Sequence, residues 1–259
     1  MLTMQVAEVE ALKNNLLPFL QLSQFVNFKF SRSTVSLTAS CPHTTSCLYV
    51  QLKISEPFFT FLSTNPNGIE EYHSCLQIDD FFLATSLTGT DHRIVTFLMP
   101  DDYSFTNILF TTCVGHLRYN TALAMSPPLD MDVPQIDDGP FVAITAEWFR
   151  DIATRLGGFN TKIWVTATVS QVVFSAVLME FKVPIEENRC MIGGSNFGDG
   201  VRFSVTFIPL QFFIQTSYLD KMVYFNSSAN GNILVTFVTG NWTNIVAFNP
   251  EDRWEVLHK

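Results

Sequence analysis

Hydrophobic positions along the chain switch between two periods in a fixed order. An amphipathic stretch of about ten residues, apolar at helical spacing, precedes two segments that alternate apolar and polar across a polar turn. The pattern occurs four times: VEALKNNLLPFLQLSQFVNFKFSRSTVSLTAS from Val9, DDFFLATSLTGTDHRIVTFLMPDDYSFTNILF from Asp79, AEWFRDIATRLGGFNTKIWVTATVSQVVFSAV from Ala146 and PLQFFIQTSYLDKMVYFNSSANGNILVTF from Pro209. Each repeat predicts a short helix followed by two strands. Together they predict an α+β protein of two equivalent tandem domains, with two helix-strand-strand units in each.

The helices are expected to run only two to three turns, too short to be stable alone, so they must pack on the sheets and leave one polar face outward. Pro18 lacks a backbone donor and ends the first helix near Leu17. Further strands are expected within Cys47–Phe61, and the Asn, Pro and Gly of STNPNGIEEYHS predict a turn. The first domain is expected to occupy residues 1–125. Residues 126–140 hold four prolines and four acids, which predicts a stiff, extended interdomain linker. The second domain is then 141–259, with EENRCMIGGSNFGDG read as a long surface loop.

Composition adds volume to this outline. The 259 residues include 25 phenylalanines and are 47% hydrophobic, enough to fill two substantial cores. Phenylalanine in alternating apolar sets, as at Phe28 and Phe30 or Phe203, Val205 and Phe207, suits sheets with one buried face. No apolar run approaches the ~20 residues that cross a bilayer, and the first residues carry acids where a secretory leader would be basic and then apolar. The expectation is an intracellular protein with no membrane partner. Asn226 and Asn241 match the glycosylation acceptor pattern, which has no consequence without secretion.

Catalytic chemistry is not predicted. Cys41, Cys47, Cys75, Cys113 and Cys190 form no zinc-ligand spacing and read as reduced thiols. The histidines, His43, His73, His92, His116 and His258, are scattered, so neither a metal nor another cofactor is expected. Gly193–Gly200 resembles a phosphate loop only in its glycines, lacking the Gly-Lys-Ser/Thr ending. Asp137 with Asp138 and Glu186 with Glu187 lie in polar segments where solvation is the simpler reading. No nucleophile arrangement is present, and the chain is expected not to be an enzyme.

Several short segments carry a resemblance. Ser55-Glu56-Pro57-Phe58-Phe59-Thr60-Phe61 is similar to an S-E-G-F-x-x-Y segment, and Leu129-Asp130-Met131-Asp132-Val133 to an L-D-L-D-V approach to an interdomain linker. The run from Val35 to His43 is similar to a histidine-bearing loop, and Leu210-Gln211-Phe212-Phe213 to an L-N-F-F helix start. With the fourfold repeat, these resemble the sliding clamp family of DNA polymerase processivity factors, of the proliferating cell nuclear antigen type, over nearly the whole chain. The resemblance implies helices on one face of curved antiparallel sheets, head-to-tail subunits, and a ring around duplex DNA that tethers a polymerase. A nuclear or viral replication compartment follows from it.

Residue roles follow from the same resemblance. The DNA-facing cations would be Lys13, Arg150, Arg155 and Lys221. A groove for short helical motifs of replication proteins would use His43, Leu129, Met131, Val133, Ile136 and Pro250. Subunit edges would lie at Leu117, Tyr119, Thr121 and Leu123 in the first domain and at Met179, Phe181, Val183 and Ile185 in the second. The competing reading makes these ordinary protected edges of a monomer.

Charge modifies this picture. Net charge is −9, which opposes binding to nucleic acid unless basic residues share one surface. On the four helices and their flanks the bases are Lys13, Arg150, Arg155 and Lys221, against Glu8, Glu10, Asp79, Asp80, Glu147, Asp151 and Asp220. Phe81, Phe82, Ile208 and Gln215 stand where the family places cations. A homotrimer is expected to hold double-stranded DNA weakly and without sequence preference. The alternatives are a heterotrimeric checkpoint clamp, in which basic partner subunits complete the ring, and a replication or transcription scaffold that keeps the fold without encircling DNA.

Overall fold

A computed structural model of the protein describes residues 2–6, 8–31, 33–42, 47–63, 71–86, 94–99, 105–111, 118–126, 133–159, 162–177, 179–186, 189–195 and 200–256. The first half runs β1 (Leu2–Val6), α1 (Val9–Leu16), β2 (Phe25–Ser31), β3 (Thr34–Pro42), β4 (Cys47–Ser55), β5 (Phe59–Ser63), β6 (Glu71–Gln77), α2 (Ile78–Ser86), β7 (Ile94–Met99), β8 (Phe105–Thr111) and β9 (Arg118–Ser126). The second runs β10 (Ile136–Thr145), α3 (Ala146–Leu156), β11 (Ile163–Ala167), β12 (Gln171–Ala176), β13 (Met179–Pro184), β14 (Cys190–Gly193), β15 (Val201–Val205), α4 (Leu210–Thr216), β16 (Met222–Ser228), β17 (Asn232–Phe237) and β18 (Thr243–Val256). The class is α+β, with antiparallel pairing in every register described below.

Both halves use one pairing scheme. The strand entering each helix pairs with the strand leaving the other helix of its half: β1 with β7 and β6 with β2, then β10 with β16 and β15 with β11. The four repeats fold as a helix followed by the hairpins β2–β3, β7–β8, β11–β12 and β16–β17. The pairing β1–β5 recurs as β10–β14, β8–β9 as β17–β18, and β6–β9 as β15–β18. Contacts group Met1–Ser40, Gln51–Met131 and Gly240–Asn244 into one compact unit, and Cys41–Val50, Asp132–Thr239 and Ile245–Lys259 into another.

Local sequence explains the helices. In α1 the residues Val9, Leu12 and Leu16 recur at three- and four-residue spacing and are buried. The helix stops at Leu16, and Pro18 sits in a tighter turn over Leu17–Gln21, where its missing N–H costs nothing. In α3 the N-cap Thr145 hydroxyl accepts from the Trp148 amide (3.5 Å), with Glu147 in the first turn and Arg155 in the last, as the helix dipole favours.

Aromatic side chains fill each unit. In the first, the Phe28 ring lies 6.3 Å from those of Phe30 and Phe81, and Phe30 lies 6.1 Å from Phe59. In the second, Phe149 on the inner face of α3 meets Phe207 at 5.1 Å and Phe237 at 5.8 Å. Phe225 centres that core, with Phe203 at 5.6 Å and Phe174 at 5.8 Å. The helices pack in pairs within their units, α1 beside α2 and α3 beside α4.

Two segments read as loops are partly strand. Glu71–Ser74, expected in a turn, belong to β6 and pair with Phe28–Ser31 of β2. Cys190–Gly193, expected in a surface loop, form β14 along Phe141–Ile144. In both, a distant strand supplies the hydrogen bonds that polar or glycine-rich sequence does not advertise. The glycines of the second segment answer to packing: a Cβ on Gly193 would lie 2.9 Å from the Phe141 ring. Gly194 has φ +93 and would place a Cβ 2.0 Å from the Gly139 carbonyl oxygen.

The expected linker also acquires pairing. Ile136 lies opposite Ser228 of β16, and the register shifts before Phe141 resumes opposite Asn226. Asp137 fixes this irregular stretch, its Oδ1 accepting from the Gly139 amide at 2.9 Å and from the Ser227 hydroxyl.

Candidate functional site

The expected DNA-facing cations lie on α1 and α3 and just beyond α4. On α1 the exposed line includes Glu10 and Asn14, with Lys13 between them, and continues into Leu17 of the following turn. Lys13 Nζ lies 2.9 Å from Glu10 Oε2, and its side chain is only 20% exposed. On α2 the exposed residues are Asp79, Asp80 and Leu83. The helix face of the first unit is thus acidic and apolar, with its lysine already matched by an acid.

In the second unit the three cations have separate surroundings. Arg150 donates from Nη1 to the Ser217 carbonyl oxygen at 3.0 Å, and its guanidinium lies 4.3 Å from the Tyr218 ring centroid. Arg155, one and a half turns further along α3, donates to Asp151 Oδ1 at 2.8 Å and lies 5.7 Å from the Phe181 ring centroid. Lys221 is exposed beyond α4. Its neighbour Asp220 accepts from the backbone amides of Lys221 (2.5 Å) and Val238 (2.8 Å). Arg150 therefore reaches the end of α4 while Arg155 reaches β13, and the two do not converge on one point.

The expected peptide groove is described in part. His43, Leu129 and Met131 lie outside the described residues. Val133 is buried in a cluster with Leu234, Val246 and Phe248, against which Tyr49 packs. Val133 thus contributes to the packing of that cluster. Ile136 is exposed. Pro250 is half-buried, and its carbonyl accepts from Asn232 Nδ2 at 3.4 Å.

The expected subunit edges are strands β9 and β13. Tyr119, Thr121 and Leu123 lie in β9, whose Arg118–Ala124 stretch pairs with β8, and Leu117 lies outside the described residues. Met179, Phe181 and Val183 lie in β13, which pairs with β12; Ile185 follows, its amide bonded to the Ser170 carbonyl at 3.1 Å. Among the described residues neither β13 nor this stretch of β9 has a strand on its other side. Their counterparts in the pairing scheme, β4 for β13 and β18 for β9, do pair with one another. Within the first unit the Ser55 amide donates to the Trp242 carbonyl at 2.8 Å. Within the second the Tyr49 ring lies 5.9 Å from that of Phe248.

Sequence reading missed Asp252. This residue of β18 is 2% exposed, and it accepts from the Thr206 amide at 2.8 Å and the Thr206 hydroxyl at 3.0 Å. Burial pushes its carboxyl up to about 7, against the two Thr206 bonds and the charge of Lys162, which favour the ionised form. Asn249, Pro250, Glu251 and Arg253 around it are polar or turn-forming, so no sequence signal set Asp252 apart from a solvated acid. The described cysteines, Cys41, Cys47, Cys75 and Cys190, are free thiols. Burial pushes Cys190 up to about 11 and also raises Cys41, which disfavours their thiolates.

No protein-family model matches the chain, and no curated protein matches it.

Proposed function

We propose that the chain is a sliding-clamp-like subunit: a non-catalytic processivity factor that assembles head to tail around duplex DNA and tethers a polymerase. One observation carries the reading. The two halves share one pairing scheme, in which β4 and β18 pair while their counterparts β13 and β9 each keep an open edge among the described residues. A second chain that offers β9 to β13 would repeat a pairing this sequence already makes. Such a contact joins unlike surfaces, so it propagates and forms a ring where its rotation closes.

DNA binding in this reading is non-specific and weak. Of the four candidate cations, Lys13 and Arg155 are ion-paired and Arg150 is hydrogen-bonded within the unit, which leaves Lys221 as the least committed. Weak neutralisation of phosphate predicts retention that depends on topology, with the duplex held by encirclement and lost through a free end. The test measures solution mass together with retention on nicked circular and linearised duplex. An oligomer retained on the circle and lost from the line is the expected result. A chain that stays monomeric at tens of micromolar and does not stimulate a polymerase on a long primed template overturns the reading.

The acidic and apolar helix face around Glu10, Asp79, Asp80 and Leu83 favours a second reading, in which this chain is one subunit of a hetero-oligomeric clamp completed by more basic partners. Co-purification with two different clamp-like chains supports that version, and a stable homotrimer excludes it.

A further inference from the structure

Tyr218 is the most exposed aromatic side chain among the described residues, at 70%. It stands just past the end of α4, in a unit whose phenylalanines close the core around Phe225. The Arg150 guanidinium lies 4.3 Å from its ring centroid, so one ring face is stacked on a cation and the exposure belongs to the other. Arg150 is fixed there through Nη1, which donates to the Ser217 carbonyl oxygen at 3.0 Å. The same bond caps the C-terminal end of α4, where free carbonyl oxygens would repel an anion.

Charge around this ring is unbalanced. Lys13, Arg155, Lys182 and Arg189 each face a carboxylate, whereas among the described residues neither Arg150 nor Lys221 forms an ion pair. Lys221 is exposed, and its carbonyl accepts from the Ala146 amide at 2.8 Å, which places it where α3 begins. Asp220, between Tyr218 and Lys221 in the chain, turns its two oxygens to the backbone amides of Lys221 and Val238. Glu147, in the first turn of α3, complements the helix dipole there. Two cations without acid partners thus flank one bare ring face.

An exposed ring beside unpaired cations offers stacking to a planar group and charge to an anion. An unpaired nucleotide presents both at once, as a base and its phosphate. A duplex keeps its bases stacked on one another and offers this corner phosphate alone. An acidic peptide would meet Arg150 with one guanidinium nitrogen already bonded to Ser217, which weakens the bidentate grip that favours carboxylate.

We propose that Tyr218, backed by Arg150 and flanked by Lys221, is a stacking platform for an unpaired base of single-stranded nucleic acid. Arg150 supports the ring and caps the helix end, and is not itself a phosphate clamp. Lys221 takes the phosphate beside the stacked base, since three residues of chain span at most about 10 Å. Readout is insensitive to sequence, because every base has a face to stack. The inference goes beyond the clamp-like reading and does not depend on it.

The test uses the full chain and fluorescence anisotropy at low salt with three labelled probes: an oligothymidine of about 12 nucleotides, an abasic strand of the same length, and a duplex of the same length. The parent is expected to bind oligothymidine more tightly than either of the others. Tyr218→Ala, checked for a cooperative melt because it also releases Arg150, should weaken oligothymidine binding by about tenfold. Tyr218→Phe keeps the ring and should bind as the parent does. Lys221→Ala should reduce the slope of log affinity against log salt by about 0.7, the share of one phosphate. A parent that ignores oligothymidine, or binds the abasic strand equally well, overturns the proposal and leaves the ring to a protein partner. Equal binding by Tyr218→Ala overturns it too. Retention on nicked circular duplex is measured alongside and should not change in Tyr218→Ala; a fall by the same factor would place Tyr218 on a duplex surface and overturn the assignment. A parent that is monomeric and not retained on the circle removes the clamp-like reading alone.

Discussion

Thr206 holds Asp252 twice, through its backbone amide at 2.8 Å and its hydroxyl at 3.0 Å, and so ties β18 to the segment that leads from β15 into α4. The carboxyl is buried, and burial raises it to about 7.

A pH dependence follows with a definite sign. Unfolded, the group titrates near 3.9; folded, it holds its proton to about 7. Between those values the folded state binds more protons, so the contribution is complete below the unfolded value and is lost as pH rises through the folded one. The parent protein is expected to lose stability relative to Asp252→Asn between pH 5 and pH 8, by about 3 kcal/mol or less. Denaturant melts of both proteins at the two pH values check this. A constant difference between them would mean that Asp252 is ionised throughout.

Arg150 is expected to matter for folding as well as for any binding. Its bond to the Ser217 carbonyl and its stack on Tyr218 secure the end of α4 against α3. Arg150→Ala should cost about 1–2 kcal/mol in thermal or chemical melts. Arg155→Ala, at an exposed ion pair, should cost about 0.5 kcal/mol or less.

Gly194 is expected to tolerate no side chain. Its φ is positive, and a Cβ there would stand only 2.0 Å from the Gly139 backbone oxygen, so Gly194→Ala must displace main chain and not only a side-chain tip. A loss of about 2 kcal/mol or more is expected in equilibrium unfolding. Gly158, where a Cβ would meet nothing within 4 Å, is the matched control, and alanine there should be nearly neutral.

Phe225 should be the most sensitive aromatic of the second unit. It touches Phe149, Phe174, Phe203 and Phe207 at ring separations of 5.6–6.5 Å. Phe225→Ala leaves a cavity that these rings cannot close together, at a cost of about 3–5 kcal/mol. Phe225→Leu should recover most of that loss.

The four helix-and-hairpin repeats were legible in the sequence, because a half-buried helix or strand writes its buried face into its own residues at period 3.6 or 2. Val9, Leu12 and Leu16 announce α1, and Val26, Phe28 and Phe30 announce β2. Pro18 marks the end of α1 through chemistry of its own. Elements whose existence depends on a distant partner were not legible. Glu71–Ser74 and Cys190–Gly193 carry polar or glycine-rich sequence and become strands because β2 and β10 lie alongside.

The candidate site divides in the same way. The resemblance nominated Lys13, Arg150, Arg155 and Lys221 as cations for phosphate. Tertiary contacts decided that Glu10, Ser217 and Asp151 would occupy the first three, that Val133 would be buried, and that Asp252 would be enclosed with Thr206. Periodicity is local and survives in the order of residues, whereas burial and pairing join residues tens of positions apart and exist only once the chain has closed on itself.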